Sequence, residues 1–488
     1  MGHRGNNVED TAGLRPKRQS IAKNIGWLAL ANTVVKPFWF LFIMLTVRLL
    51  GSVGYGEFML AISFVSVAAA VLEGGIDVLT VREISTGPQR YDTYLGNTMV
   101  FKLSSGIAGS IAIVAITFLF RMSWQMILLV SVACFFSMAN TLLSHFRSFF
   151  RSFEVMKYEA ISVILEKTSV IVLCGFILLV HRDVVSYMIG YSIAYCITCI
   201  VTFVILLNRI GRFRMQINLS YFWLNILKPG LPFALMNLFI IIYFRSGTIM
   251  LSVLTGRDDL IGYYNAGYRL VESFMLFPTI IVAPIYPVIS RSKENVASVR
   301  SVLLYSARIL LFISVSVSFV IFVFREQFTL LLFGAGYKAA ATSVGILALT
   351  MIPISLNFGA GILVAALGRQ GRSNVFIFVV TLINILANYI LIKVWSVEGA
   401  TLTTVITETL LVVCNIGIVH DYIPWNSILK LSGKTILPAV VAWLLVLTII
   451  GKLSFPVQFV SSLTILLTGY FLLKVVTWED LKRLASIR

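Results

Sequence analysis

The sequence predicts an all-α polytopic membrane protein of about 14 transmembrane helices, built as two six-helix lobes related by a parallel repeat, with two further helices at the C-terminus. Three observations predict it. Of the 488 residues, 58% are hydrophobic and only 12% are charged, against about 25% charged in ordinary soluble domains. Mean hydropathy is +0.93, so polar surface is too scarce to cover a water-soluble globule. The apolar residues gather into regularly spaced runs near the length of about 20 residues that one membrane crossing needs. A soluble enzyme, a secreted protein and a disordered chain are excluded.

Residues 1–23 form a polar, basic tail with Arg4, Arg15, Lys17, Arg18 and Lys23. The run after it is too long for a signal-peptide core and lacks a small-residue cleavage site, which predicts a retained first helix. Runs at 24–50, 57–84, 98–120, 125–146, 158–181 and 184–207 make an N-terminal lobe over residues 24–208. A basic cytoplasmic linker follows over 209–228, with Arg209, Arg212, Arg214 and Lys228. Runs at 229–254, 263–290, 302–324, 339–366, 372–395 and 397–420 make a second lobe over 229–421. Residues 422–488 hold the last two runs, 435–452 and 456–476, and a tail.

The repeat also shows in the residues. Asn32 precedes the Gly54-Tyr55 pair by 22 positions, and Asn237 precedes Gly262-Tyr263 by 25. Two lobes of six spans keep the same orientation because six is even, the parallel-repeat plan of many transporters. With the N-terminus inside, 27 of the 39 Lys and Arg residues fall in cytoplasmic segments, eight fall outside and four lie within spans. Short loops with that bias orient the chain, and both termini are expected in the cytoplasm.

A net charge of +18 would suggest nucleic acid in a soluble protein. Here the cations punctuate apolar runs, so no nucleic-acid partner is expected. Cys134, Cys174, Cys196, Cys199 and Cys414 all lie in apolar segments, and the single C-x-x-C has no second pair. Neither a metal site nor a cofactor is expected. The four histidines stand in the tail or at span ends, no P-loop occurs, and outside loops are short. No catalytic set is visible, and the chain is not expected to be an enzyme.

Ionisable side chains inside the bilayer remain. Each costs about 2.5–3.5 kcal/mol at mid-depth on insertion scales, so such residues face a bundle interior or a wet cavity. Lys36, Arg245 and Arg269 are the candidate substrate-binding cations, and Glu73, Asp77, Glu272 and Glu408 the candidate coupling or helix-break acids. Arg269 and Glu272 are also spaced to pair with each other on one helix face. Glu166 and Lys167 are adjacent, point about 100° apart and should have separate partners. Glu73 precedes Gly74-Gly75, a spacing that suits a helix break as well as it suits substrate contact. Lys36 and Arg245 have no helically spaced acid in their own spans. Prolines at 37, 232, 278, 284, 287 and 353 lie inside or near the ends of spans, where a lost backbone bond kinks a helix.

Lys23-Asn24 through Arg48-Leu49-Leu50-Gly51 to Gly54-Tyr55-Gly56-Glu57-Phe58 resembles the opening of bacterial polysaccharide-export flippases of the Wzx type. Glu73-Gly74-Gly75-Ile76-Asp77 to Val81-Arg82-Glu83 resembles their second span. Pro229-Gly230-Leu231-Pro232 through Gly262-Tyr263-Tyr264-Asn265-Ala266 to Pro284-Ile285-Tyr286-Pro287 is similar to their second half. The stretch Tyr243 to Leu251 departs from those relatives, which often carry an acid where Gly247 stands.

The resemblance implies the MOP exporter superfamily, with two six-helix lobes around a central cavity. It further implies movement of an undecaprenyl-diphosphate-linked oligosaccharide across the bacterial inner membrane, with membrane lipid and other polysaccharide-assembly proteins as partners. Buried cations suit a diphosphate, whose desolvation they offset. Asn32, Asn237, Asn357, Asn384 and Asn388 are placed to bond sugar hydroxyls or neighbouring helices. A lipid II flippase is the nearest alternative. A multidrug or cation antiporter would carry cavity acids in place of Lys36 and Arg245, and a membrane enzyme of polysaccharide assembly is the remaining rival. Coupling to H+ or Na+ is open.

Overall fold

The computed structural model describes residues 21–73, 75–87, 91–211, 218–292, 294–448 and 453–475. Residues 1–20, the linker centre at 212–217, the end from 476 and the Asn32 side chain lie outside the described residues. Every regular element described is helical.

The first helix, α1 (Ile21–Leu72), is 52 residues long, about 78 Å if straight against a bilayer core of about 30 Å. It is two helices joined at Gly51, where φ is 70°. Gly75, at φ 64°, separates it from α2 (Ile76–Thr86), so the Glu73-Gly74-Gly75 stretch does break the helix. Then come α3 (Tyr91–Leu119), α4 (Trp124–Ser152), α5 (Met156–Val180) and α6 (Val184–Arg209). Ser123 caps α4 by accepting from Met126 N at 3.2 Å, and Asp183 caps α6 by accepting from Ser186 N at 2.8 Å.

A short α7 (Leu219–Phe222) runs through a π-helical turn into α8 (Lys228–Thr255). After it lie α9 (Asp258–Phe274), α10 (Leu276–Val282), α11 (Ile285–Ser292), α12 (Val296–Val323), α13 (Arg325–Phe333), α14 (Ala341–Leu349) and α15 (Met351–Ala366). The 49-residue α16 (Gln370–Ile418) is again two helices, joined at Ser396 with φ 53°. Helices α17 (Trp425–Thr448) and α18 (Phe455–Leu472) end the described fold.

Eleven helices among the described residues are long and apolar enough to cross a membrane, or twelve with α9–α10 and α11 taken as one bent span. Counting both arms of α1 and of α16 is compatible with the expected 14. The connections repeat too. Gly51, Arg121 and Arg182 turn three of the hairpins in the first half of the chain at positive φ, and Gly256, Gly334 and Ser396 turn three in the second. A left-handed residue reverses a helix within one turn.

Chain contacts divide the protein into two units, one of residues 1–50 and 57–242, the other of residues 51–56 and 243–488. In the first, α4 packs on α2, α3, α5 and α6. Its Phe146, Phe149 and Phe150 are fully buried at i, i+3 and i+4. Tyr187, Tyr191 and Tyr195 stack along α6 at one-turn intervals beside Phe58 and Phe136.

In the second unit, α12 packs on α14, α15 and α17. Leu311, Val315 and Phe319 of α12 form one core cluster with Ala439, Ala442, Leu466 and Tyr470, which seats the last two helices. The 51–56 segment belongs here because of two glycines. A Cβ on Gly56 would strike the carbonyl of Asp258, and one on Gly262 would strike that of Ser52. The two backbones touch without side chains between them.

Candidate functional site

The second unit brings together three of the predicted charged residues. Arg269 and Glu272 sit one turn apart on α9, and Arg269 Nη1 donates to Glu272 Oε2 at 2.6 Å. The i, i+3 pairing expected from the spacing is therefore made. Arg269 Nε also donates to the buried Tyr55 Oη at 2.9 Å, reaching the segment that follows Gly51. Arg245, on α8, is half-buried and makes no ion pair within 4 Å among the described residues. Glu272 is the leading charge beside it, followed by Arg269 and the hydroxyls of Tyr268 and Tyr55. The Glu272 carboxylate is bonded to Arg269.

Neither Glu73 nor Glu408 pairs with Arg245. Glu408 lies on α16, buried, and accepts from Tyr243 Oη at 3.0 Å with no cation within ion-pair distance among the described residues. A polar network spreads from it. Thr407 Oγ1 is 3.2 Å from Tyr243 Oη and accepts from Asn384 Nδ2 at 3.1 Å. Asn384 Oδ1 accepts from Ser246 at 2.5 Å and from Asn388 at 3.0 Å. Asn384 therefore acts between helices, while Asn388 bonds Asn384 within its own arm. Gly247 is covered by the Tyr264 ring, whose hydroxyl pairs with Thr404 at 3.1 Å. A larger residue there would collide with that ring, and its absence leaves Arg245 without a neighbour acid on α8.

The first unit holds the other predicted charges. Lys36 of α1 is exposed and has no acid within ion-pair distance among the described residues. Glu73 accepts from Asn237 Nδ2 at 3.0 Å. Asp77 is more heavily engaged, with Lys102 Nζ and His145 Nδ1 each at 2.9 Å and Ser144 Oγ at 2.8 Å. His145 Nε2 is in turn 2.8 Å from Thr98 Oγ1.

Sequence reasoning did not single out Lys102, which lies in the 98–120 run, and placed His145 at a span end. Both are buried inside helices, at 2% and 0% exposure. The expected separation of Glu166 and Lys167 is corrected as well. Lys167 Nζ reaches back to Glu166 Oε1 at 2.6 Å, while Arg147 holds Oε2 at 2.7 Å and Tyr195 donates at 2.8 Å. A four-carbon stem spans the angle between adjacent helical positions.

The residues matched by known proteins agree with this frame. The family model described as polysaccharide biosynthesis protein matches residues 21–293. No curated protein matches the chain in sequence. Among solved structures, a lipid II flippase MurJ in an inward closed conformation has TM-score 0.73 at 14% identity, covering 92% of this chain and 99% of its own. A multidrug resistance MATE transporter of the MOP superfamily, inward-facing, has TM-score 0.65 at 17% identity, covering 82% of this chain and 98% of its own. A MOP superfamily transporter from Pyrococcus furiosus, described by a binding pocket of reverse polarity, has TM-score 0.56 at 17% identity over 83% of this chain and 96% of its own. The fold is that of MOP transporters, and the chain belongs to the polysaccharide biosynthesis protein family.

Proposed function

We propose that the protein is a flippase that carries an undecaprenyl-diphosphate-linked oligosaccharide across the bacterial inner membrane by alternating access, for cell-surface polysaccharide assembly. The observation that supports it is Arg245, a half-buried cation within an apolar helix that makes no ion pair within 4 Å among the described residues, in the same unit as the Arg269–Glu272 pair. A cation held in an apolar surrounding without full compensation is costly. A diphosphate passing through supplies the missing negative charge, and Arg presents a planar fork that matches phosphate oxygens. Organic cations, the cargo of a multidrug exporter, would meet repulsion at this point. Lys36 offers a further cation in the first unit. In this reading both termini face the cytoplasm, and the glycan crosses without covalent change.

The test is reconstitution. Purified protein in liposomes carrying the lipid-linked glycan should make the glycan accessible on the opposite face with its mass unchanged. A new covalent product would refute transport without chemistry, and transport of lipid II in its place would assign the protein to the alternative cargo.

A further inference from the structure

Two tryptophans of α1 each carry a lysine of α5 over the ring. Lys157 Nζ lies 5.7 Å from the Trp27 ring centroid, and Lys167 Nζ lies 4.1 Å from that of Trp39. The Trp39 rung is the more firmly built. Lys167 is tied to Glu166 at 2.6 Å, and Arg147 and Tyr195 fix that carboxylate from other helices at 2.7 and 2.8 Å. Glu159, the next acid along α5, has its own cation in Arg151 at 3.8 Å. One turn before Trp39 stands Lys36, exposed and without an acid in ion-pair reach among the described residues. Lys36, Arg147 and Lys167 against Glu166 leave two positive charges in excess around a partly exposed indole.

A packing clasp between α1 and α5 accounts for Trp39 with Lys167. It does not account for Lys36 or for the charge excess, which costs free energy at membrane depth unless an anion arrives. An indole with a cation fixed over one face and another cation a turn away suits a ligand that presents an anion directly beside an apolar ring face. In a lipid-linked oligosaccharide, the sugar bonded to the diphosphate has that shape. The C–H face of a pyranose packs on an aromatic ring, and ammonium groups bond the phosphate oxygens next to it.

We propose that Lys36, Trp39 and Lys167 form a subsite for the diphosphate-proximal sugar, with Trp39 as its stacking platform. The proposal rests on the flippase reading and adds recognition of the sugar to recognition of the diphosphate.

The test measures binding by native mass spectrometry of the full chain released from nanodiscs. The probes are undecaprenyl diphosphate alone and the same lipid bearing N-acetylglucosamine or galactose. Wild-type protein should bind at least one sugar-bearing lipid about fivefold or more tighter than the sugar-free lipid. Trp39→Leu should erase that advantage while leaving sugar-free affinity within about twofold, and Trp39→Phe should keep part of it. Lys167→Gln should weaken all three lipids. Equal affinities in the wild type, or an advantage that survives Trp39→Leu, would overturn the subsite. A loss of all affinities together with a lowered melting temperature in both Trp39 variants would assign Trp39 to the clasp and overturn it too. Wild-type protein that fails to bind undecaprenyl diphosphate at all would overturn the flippase reading beneath it.

Discussion

Arg269 Nε donates a hydrogen bond to Tyr55 Oη at 2.9 Å across 214 positions of sequence. Arg269 simultaneously bonds Glu272 at 2.6 Å, so its guanidinium is oriented from two sides. A side chain oriented in this way loses little further freedom when it meets an anion. Arg245 makes no ion pair within 4 Å among the described residues.

Arg245→Ala should therefore insert and accumulate normally yet fail to export glycan. Arg245→Lys should restore part of the activity, since charge is kept while the bidentate fork is lost. Quantitative immunoblotting beside a surface-polysaccharide assay separates the outcomes. Abundant Arg245→Ala protein that exports at the wild-type rate would remove Arg245 from the mechanism.

Glu408 accepts from Tyr243 without a cation beside it, so a neutral amide fits the same space. Glu408→Gln should leave abundance within about twofold, because the hydrogen bond is retained. If Glu408 carries a coupling proton, transport in proteoliposomes under an imposed pH gradient should fall by about tenfold or more. Unchanged transport would mean a packing role only.

The Asp77–Lys102 pair predicts a different pattern. Asp77→Asn or Lys102→Met alone leaves one buried charge without its partner, a loss of about 3 kcal/mol with one side of Asp77 open. Melting in detergent should fall by several degrees for each. Asp77→Leu combined with Lys102→Met should recover most of that loss, because apolar replacement of both partners removes the uncompensated charge.

Gly262→Ala places a methyl group on the carbonyl of Ser52. Overpacking of a close backbone contact costs about 1–3 kcal/mol. The variant should melt earlier than wild type, whereas Gly361→Ala, where a Cβ meets no atom within 4 Å, should not.

The orientation has its own check. Cysteines replacing Asp183 and Arg257 should react with an impermeant thiol reagent added outside, and those replacing Glu294 and Lys430 should not. All four sites are exposed in the structure. Equal labelling of the two pairs would reverse the reading of the 27 to 8 charge asymmetry.

Composition and hydropathy alone determined that this chain is a polytopic helical membrane protein, because the bilayer imposes a length and a polarity that one strand of sequence displays directly. The helix break after Glu73 and the Arg269–Glu272 pair were also legible, being local in spacing. Partners across helices were not. Lys102 and His145 beside Asp77, Glu272 beside Arg245, Arg147 beside Glu166 and Lys167 over Trp39 depend on how each helix is rotated and how deep it sits. Hydropathy reports neither quantity, since a run of Leu, Ile and Phe looks alike on every face. The tertiary structure decided which buried charges neutralise each other and which make no ion pair among the described residues, because a low-dielectric interior makes that distinction depend on a few ångströms between side chains.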